Sequence, residues 1–265
     1  MTRRRLDAEL VRRGLASSRA EAQLAVRAGL VLLGGAPATK VATMVGDDEP
    51  LALSGPAPRF VSRGGEKLRA ALDRFGVDPS GLDCLDAGAS TGGFTDCLLR
   101  AGARCVAAVD VGYGQLAWDL RNDERVVVME RTNVRDLRPQ DLPFSPEVVA
   151  ADLSFISLRL VADVLVRISA PRGVFLVLVK PQFEAGRNDV GEGGVVRDPG
   201  VWRRALEDVG RAFEAAGAGP AAVMASPVRG PAGNVEFLML ARRGETSVPW
   251  DLEQALSEGE EVRAR

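Results

Sequence analysis

A doubly wound, mostly parallel α/β sheet preceded by a small basic α+β module is the architecture predicted for this 265-residue chain. Three observations carry the prediction. From about residue 60 onward, short apolar runs alternate with stretches of helical periodicity, the pattern of repeated βα units. One run, Leu82–Asp86, opens into the glycine-rich turn Ala87-Gly88-Ala89-Ser90-Thr91-Gly92-Gly93, and such sheets hold nucleotide-like ligands at a turn of this kind. The first 45 residues carry eight Lys/Arg against three acids, although the whole chain has a net charge of −2.

The elements follow in order. Leu6, Leu10 and Val11 lie at helical spacing, and Gly14 closes that helix. Ser17 or Ser18 caps a second helix, where Ala20, Leu24, Ala25 and Ala28 recur and Gly29 ends the pattern. Leu30–Leu33 forms a strand before Gly34-Gly35, a pair suited to a primed hairpin turn. Pro50 to Pro58 reads as a linker. Strands are then predicted at 82–86, 105–110, 125–129, 147–151, 174–179, 221–225 and 235–241, with helices at 64–75, 93–101, 157–169 and 200–216. Residues 244–265 are acidic and weakly apolar and read as a surface helix or a frayed tail. The resulting division is 1–57, a linker at 58–62, a large domain at 63–243 and the tail.

Composition excludes several classes. The chain has no histidine, which removes Ser-His-Asp triads, HExxH zinc sites and any imidazole base. A base must be Lys, Asp, Glu, Tyr or Cys. Cys84, Cys97 and Cys105 are odd in number and form no CxxC pair, so they read as small buried side chains and no metal is expected. The longest apolar run, Gly173–Val179, is strand-length, well short of the ~18 residues of a membrane span. No apolar segment follows the N-terminal arginines, so a cytoplasmic protein without membrane contact is expected. The basic N-terminal module fits contact with a polyanion, and equally a solvated face.

The glycine turn has the spacing G-xxx-GG, neither GxGxxG nor a P-loop. Asp86, just before it, would repel a pyrophosphate but suits the cationic amino end of S-adenosylmethionine. Gly88, Gly92 and Gly93 allow close backbone approach, and Ser90, Thr91 and Phe94 share the turn. Asp110 ends the second strand, where an acid accepts hydrogen bonds from ribose hydroxyls. Asn133, after the third strand, is a weaker candidate for an adenine pocket. Each feature also has a plain reading, as a tight βα turn or a strand-terminal acid.

Four more polar residues stand where these sheets place chemistry. Lys67 lies on the helix before the glycine strand, Asp152 closes the fourth strand, Lys180 ends an apolar strand, and Glu236 follows Gly233-Asn234-Val235. Lys180 could equally be a snorkelling strand-end lysine, and Glu236 a solvent-face residue.

On these residues the chain resembles the TlyA family of RNA 2′-O-methyltransferases, whose catalytic domain is similar to the FtsJ family. The matching stretches are Ser62-Arg63-Gly64-Gly65-Glu66-Lys67-Leu68, Asp86 through Asp96, Ala151 to Leu158, Val179-Lys180-Pro181-Gln182-Phe183-Glu184, Gly193 to Pro199, and Ser226-Pro227 through Glu236-Phe237. Arg5-Leu6-Asp7, Arg13-Gly14, Ser18-Arg19 and Ala22 resemble the αL RNA-binding domain of a small-subunit ribosomal protein. The resemblance implies a Rossmann-like S-adenosylmethionine-dependent methyltransferase behind an αL domain. It implies a Lys-Asp-Lys-Glu tetrad at Lys67, Asp152, Lys180 and Glu236, and a ribose target, cytidine, in ribosomal RNA of either subunit. Arg3, Arg4, Arg5, Arg13, Ser18, Arg19 and Lys40 are the RNA-binding candidates. Two positions depart from the family: Leu33-Gly34-Gly35 replaces Val-Asn-Gly in the hairpin, and Phe60 stands where tryptophan is common. A ribose hydroxyl is a poor nucleophile near neutral pH, and a lysine helps only when neutral, below its usual pKa of about 10.4. A base methyltransferase would carry an NPPY- or Pro-Cys-type motif, and neither occurs. A haemolysin and a non-catalytic RNA-binding assembly factor remain as alternatives.

Overall fold

The computed structural model describes residues 3–16, 18–27, 29–54, 59–186 and 189–264. Ser17, Ala28, Pro56 and Pro58, and the side chains of Ala20 and Leu24, named above as cap, stripe and linker positions, lie outside them. The chain divides into two compact units, residues 1–59 and 60–265.

In the first unit, helices α1 (Leu6–Arg12) and α2 (Arg19–Arg27) pack beside two small antiparallel sheets. Strand β1 (Arg3–Arg5) pairs with β4 (Met44–Gly46), and β2 (Val31–Leu33) lies between β3 (Ala36–Pro37) and β5 (Leu51–Leu53). Leu6, Leu10, Ala22, Val26, Val31 and Val45 form the core. Gly34 and Gly35, at φ of 58° and 85°, make the hairpin turn that pairs Leu33 with Ala36, as both central residues of a primed turn need positive φ. The region read as a linker starts later than expected. Leu51 and Leu53 pack on this core and pair with Leu33 and Val31, so residues 51–53 are a strand flanked by proline.

The second unit is built on one sheet of β6 (Asp83–Ala87), β7 (Cys105–Val109), β8 (Val126–Met129), β9 (Val148–Ala151), β10 (Val174–Val179), β11 (Ala218–Ala225) and β12 (Phe237–Arg243). Their spatial order is β11-β12-β10-β9-β6-β7-β8, and β12 alone runs against its neighbours. The interior strands are apolar on both faces because both faces are covered. Leu85, Val149, Ala151, Phe175 and Val177 face α6 (Ala162–Ile168) and α8 (Pro199–Ala215). Cys84, Val148, Ala150, Leu176 and Leu178 face α3 (Gly64–Phe75) and α4 (Gly93–Arg100).

One expectation changes, and one left open is narrowed to a helix. The single helix expected over 157–169 is a 3-10 turn, Leu158–Leu160, followed by the shorter α6. Ser157 and the backbone N–H of Leu158 are held by the buried Glu184 carboxylate, which fixes a bend where the periodicity alone ran on. The stretch after 243 contains α9 (Leu252–Ala264), which buries Ala255, Leu256, Gly259 and Val262. Short helices α5 (Trp118–Arg121) and α7 (Pro181–Glu184) complete the unit.

Candidate active site

Strand register assembles the polar residues along one edge of the large sheet. Ala87 pairs with Ala151, Val177 with Ala151, and Val179 with Phe237. The carboxyl ends of β6, β9 and β10 therefore meet the start of the reversed strand β12. Asp86, Asp152, Lys180 and Glu236 sit at those four ends, and Asp110 follows β7. This is the edge where open α/β sheets bind ligands. Gly88 lets the strands close up there. Its φ is 92°, and a Cβ would lie 2.5 Å from the Asp152 carbonyl oxygen.

The four residues of the implied tetrad form two ion pairs. Lys67 Nζ lies 2.5 Å from Glu236 Oε2, joining α3 to β12 across 169 residues, and both side chains are buried. Lys180 Nζ lies 2.6 Å from Asp152 Oδ1 and donates to Ser154 Oγ at 2.8 Å. Gln182 Nε2 reaches Glu236 Oε1 at 3.4 Å, while Gln182 Oε1 is buried without a partner. Phe155 is 92% exposed beside this group, holds φ of 62°, and packs on Phe183, whose ring also lies below Lys180 Nζ.

The glycine turn frames a second cluster. Asp86 is fully buried, and Thr95 donates to its Oδ2 through both backbone N–H and hydroxyl, at 2.8 and 2.7 Å. Its other oxygen, Oδ1, is buried with no partner. Burial drives the carboxyl up to about 7; the Thr95 hydroxyl opposes this, and the nearby Asp152 and Asp110 charges add to it. A buried carboxylate with a free oxygen and only acids for charged neighbours fits a cationic ligand group, so the residues suit the amino end of S-adenosylmethionine. Asp110 accepts from Ser90 N at 2.8 Å and Gly112 N at 2.6 Å, and each carboxylate oxygen keeps capacity for a hydroxyl. Ser90, Asp110, Gly112, Gln115 and Glu130 line a cleft at this point.

Other members of the turn are engaged by the protein itself. A Cβ on Gly92 would strike Leu120, and one on Gly93 would strike Ser62 Oγ and the Gly65 amide. Both glycines thus serve close packing, and Phe94 is core. Thr91 accepts from Ala117 N through its carbonyl. Asn133 caps a 3-10 turn, its Oδ1 accepting from Arg135 N at 3.1 Å. Ser154, Thr95 and Gln182 were not singled out from the sequence, although all three lie within motif stretches whose neighbours were.

The basic candidates of the first unit are mostly paired. Arg3 bonds Glu49, Arg4 bonds Asp47, and Arg5 and Arg19 both reach Asp7. Arg13 clasps Glu9 and donates to the carbonyls of Gly46, Asp47 and Glu49, so it ties the fold together. Among the described residues Lys40 makes no ion pair, and the Ser18 carbonyl accepts from Ala22 N. The local excess of five positive charges stops just short of Asp47, Asp48 and Glu49, which reduce it to two.

Comparison with known proteins supplies the family. An FtsJ-like methyltransferase model matches residues 60–243, and an S4 domain model matches residues 4–50. The 16S/23S rRNA (cytidine-2′-O)-methyltransferase TlyA of Mycobacterium tuberculosis is 51% identical over 91% of this chain and 90% of its own length. Hemolysin A of Brachyspira hyodysenteriae is 38% identical over 88% of this chain and 98% of its own. A solved protein of Streptococcus thermophilus, 38% identical, superposes with a TM-score of 0.81 over 99% of this chain and 97% of that one. By these matches the chain belongs to the FtsJ-like methyltransferases, as a TlyA-type member with an S4 domain.

Proposed function

We propose that the protein transfers a methyl group from S-adenosylmethionine to a ribose 2′-hydroxyl of ribosomal RNA, with cytidine as the target nucleoside. One observation supports the chemistry above others: two lysine–carboxylate pairs, the buried Lys67–Glu236 and the partly exposed Lys180–Asp152, meet at adjoining strand ends beside an acid-lined cofactor edge. The cofactor, when bound, supplies an electrophilic methyl carbon on a sulfonium. Asp86 would hold its ammonium, Asp110 would accept hydrogen bonds from its ribose, and the backbone after β6 at Gly88 would border the rest.

Lys180 would take the proton that the ribose 2′-hydroxyl gives up on methylation. A lysine does this only as the neutral amine, and Asp152 and Ser154 hold that amine at the strand end. Lys67, fixed by Glu236, orients the ribose. The first unit supplies RNA affinity, and the substrate is met in the cytoplasm, as free RNA or within a subunit. The Hemolysin A relative raises a lytic alternative; no described helix is long and apolar enough to cross a membrane, and release of haemoglobin by pure protein tests it directly. The decisive experiment maps 2′-O-methyl sites in ribosomal RNA with and without the protein. A map that does not change overturns the proposal.

A further inference from the structure

Helix α9 lies beyond the matched methyltransferase segment, yet it touches every element that carries the Lys67–Glu236 pair. Glu258 Oε1 accepts from Arg74 on α3, the helix of Lys67, at 3.0 Å. Glu258 Oε2 accepts from the backbone N–H of Ala225, at the end of β11, at 3.2 Å. Gly259 lies against Phe237, the residue next to Glu236, and against Trp202. A Cβ there would be 3.0 Å from Phe237 Cζ and 3.2 Å from Trp202 Cζ3, both in fully buried rings. Glycine is disfavoured inside a helix, and at 259 it marks a tight contact, where a methyl group would require Phe237 or Trp202 to shift by a few tenths of an ångström. Arg263 donates to the Arg197 carbonyl at 2.7 Å and stacks over Trp202. Trp202 in turn donates to the Val196 carbonyl, and Asn234 holds both Val196 N and Gly194 O.

We propose that α9 is a positioning element for the reaction, setting the separation of Lys67 and Glu236 by bracing α3 through Glu258 and β12 through Gly259. The proposal rests on the reading of that pair as part of the catalytic group. The cofactor-edge acids lie on β6 and β7, which α9 does not brace, so the proposal separates rate from cofactor affinity.

The test uses the full chain with Gly259→Ala and Gly259→Val, and Glu236→Gln alongside. Measurements are cofactor affinity by calorimetry and single-turnover methylation on saturating RNA, well below each variant's melting temperature. Displacement of Phe237 should slow the methyl-transfer step by about tenfold to a hundredfold while cofactor affinity holds. Adding Phe237→Leu, which vacates the space the new methyl needs, should restore most of the rate to Gly259→Ala. A folded Gly259 variant with an unchanged rate, while Glu236→Gln is slow, overturns the proposal alone. Loss of cofactor affinity in parallel with rate, or no rescue by Phe237→Leu, also overturns it. A fully active Glu236→Gln enzyme overturns the catalytic reading and the proposal together.

Discussion

The two units bury their acids in opposite ways. In the first unit Asp7 and Glu9 are fully enclosed on α1, yet each is wrapped in cations. Burial pushes the Asp7 carboxyl up, but Arg5, Gln23 and Arg19 outweigh it and hold the group at about 2. Arg12 and Arg13 hold Glu9 at about 2 against the same penalty. In the second unit Asp86 is as deeply buried, has only Thr95 as a donor, and titrates near 7. The cations differ as well. Arginine clasps the acids of α1, whereas lysine occupies both pairs at the sheet edge. Of the 34 basic residues in the chain only Lys40, Lys67 and Lys180 are lysines. Arginine cannot give up its proton at usable pH. A chain that otherwise uses arginine so heavily keeps a deprotonatable cation at both edge positions. Saturated buried charge builds a fold; unsaturated or deprotonatable charge builds a site.

The sharpest way to break this contrast is to put arginine where the edge has lysine. Lys180→Arg keeps the charge beside Asp152 and should lower the single-turnover rate by roughly 10²–10⁴-fold, as for loss of a general base. Cofactor affinity should stay level. A rate within tenfold of the parent would mean that orientation, not proton transfer, is the role of Lys180. Asp86→Asn comes next. Loss of the charge-assisted contact should weaken cofactor binding by about 1.5–3 kcal/mol, roughly 10- to 100-fold in Kd, read by calorimetry.

A pH series sharpens the same comparison. The folded pKa of Asp86 lies above the unfolded value, so its contribution to stability is fully present below about 4 and is lost as pH rises through about 7. The folded values of Asp7 and Glu9 lie below their unfolded ones. Their contribution is present above about 4 and is lost as pH falls through about 2. Acid should therefore melt the first unit, while the second loses stability toward neutrality, with a slope that Asp86→Asn flattens. Cofactor binding below about pH 7 should expel a proton from Asp86, seen as a binding enthalpy that varies with buffer. Equal slopes in Asp86→Asn and parent would remove Asp86 as the titrating group. The smallest effect is expected at Lys40, which holds no ion pair among the described residues. Lys40→Ala should weaken RNA binding uniformly and lower the salt slope by about one. Arg13→Ala should instead lower the melting temperature of the first unit, because its partners are Glu9 and three carbonyls.

Much of this was legible from the residues. Short apolar runs such as Val174–Val179, set between helical stretches, read as interior strands, and the polar residues at such strand ends, Asp152 and Lys180, stood out because strand ends face the ligand edge. Pairing was not legible. Nothing in a linear pattern joins Lys67 to Glu236, because the reversal of β12 that brings them together is a property of the sheet. The bend at Ser157 escaped for a similar reason: the carboxylate that fixes it comes from Glu184, 27 residues away. The basic excess of the first unit marked the module that matches an S4 domain, but not how its charges pair: Asp47 and Glu49 fold back onto Arg4 and Arg3.

The reversed strand also sets a schedule. The residues that frame the cofactor cleft, from β6 through Glu130, are contiguous in sequence. The partner of Lys67 comes 169 residues later, and β12 must thread between β10 and β11 before it arrives. Long-range closure of this kind is slow relative to local folding. During synthesis the Lys67–Glu236 pair therefore closes after every other residue of the candidate site has been made.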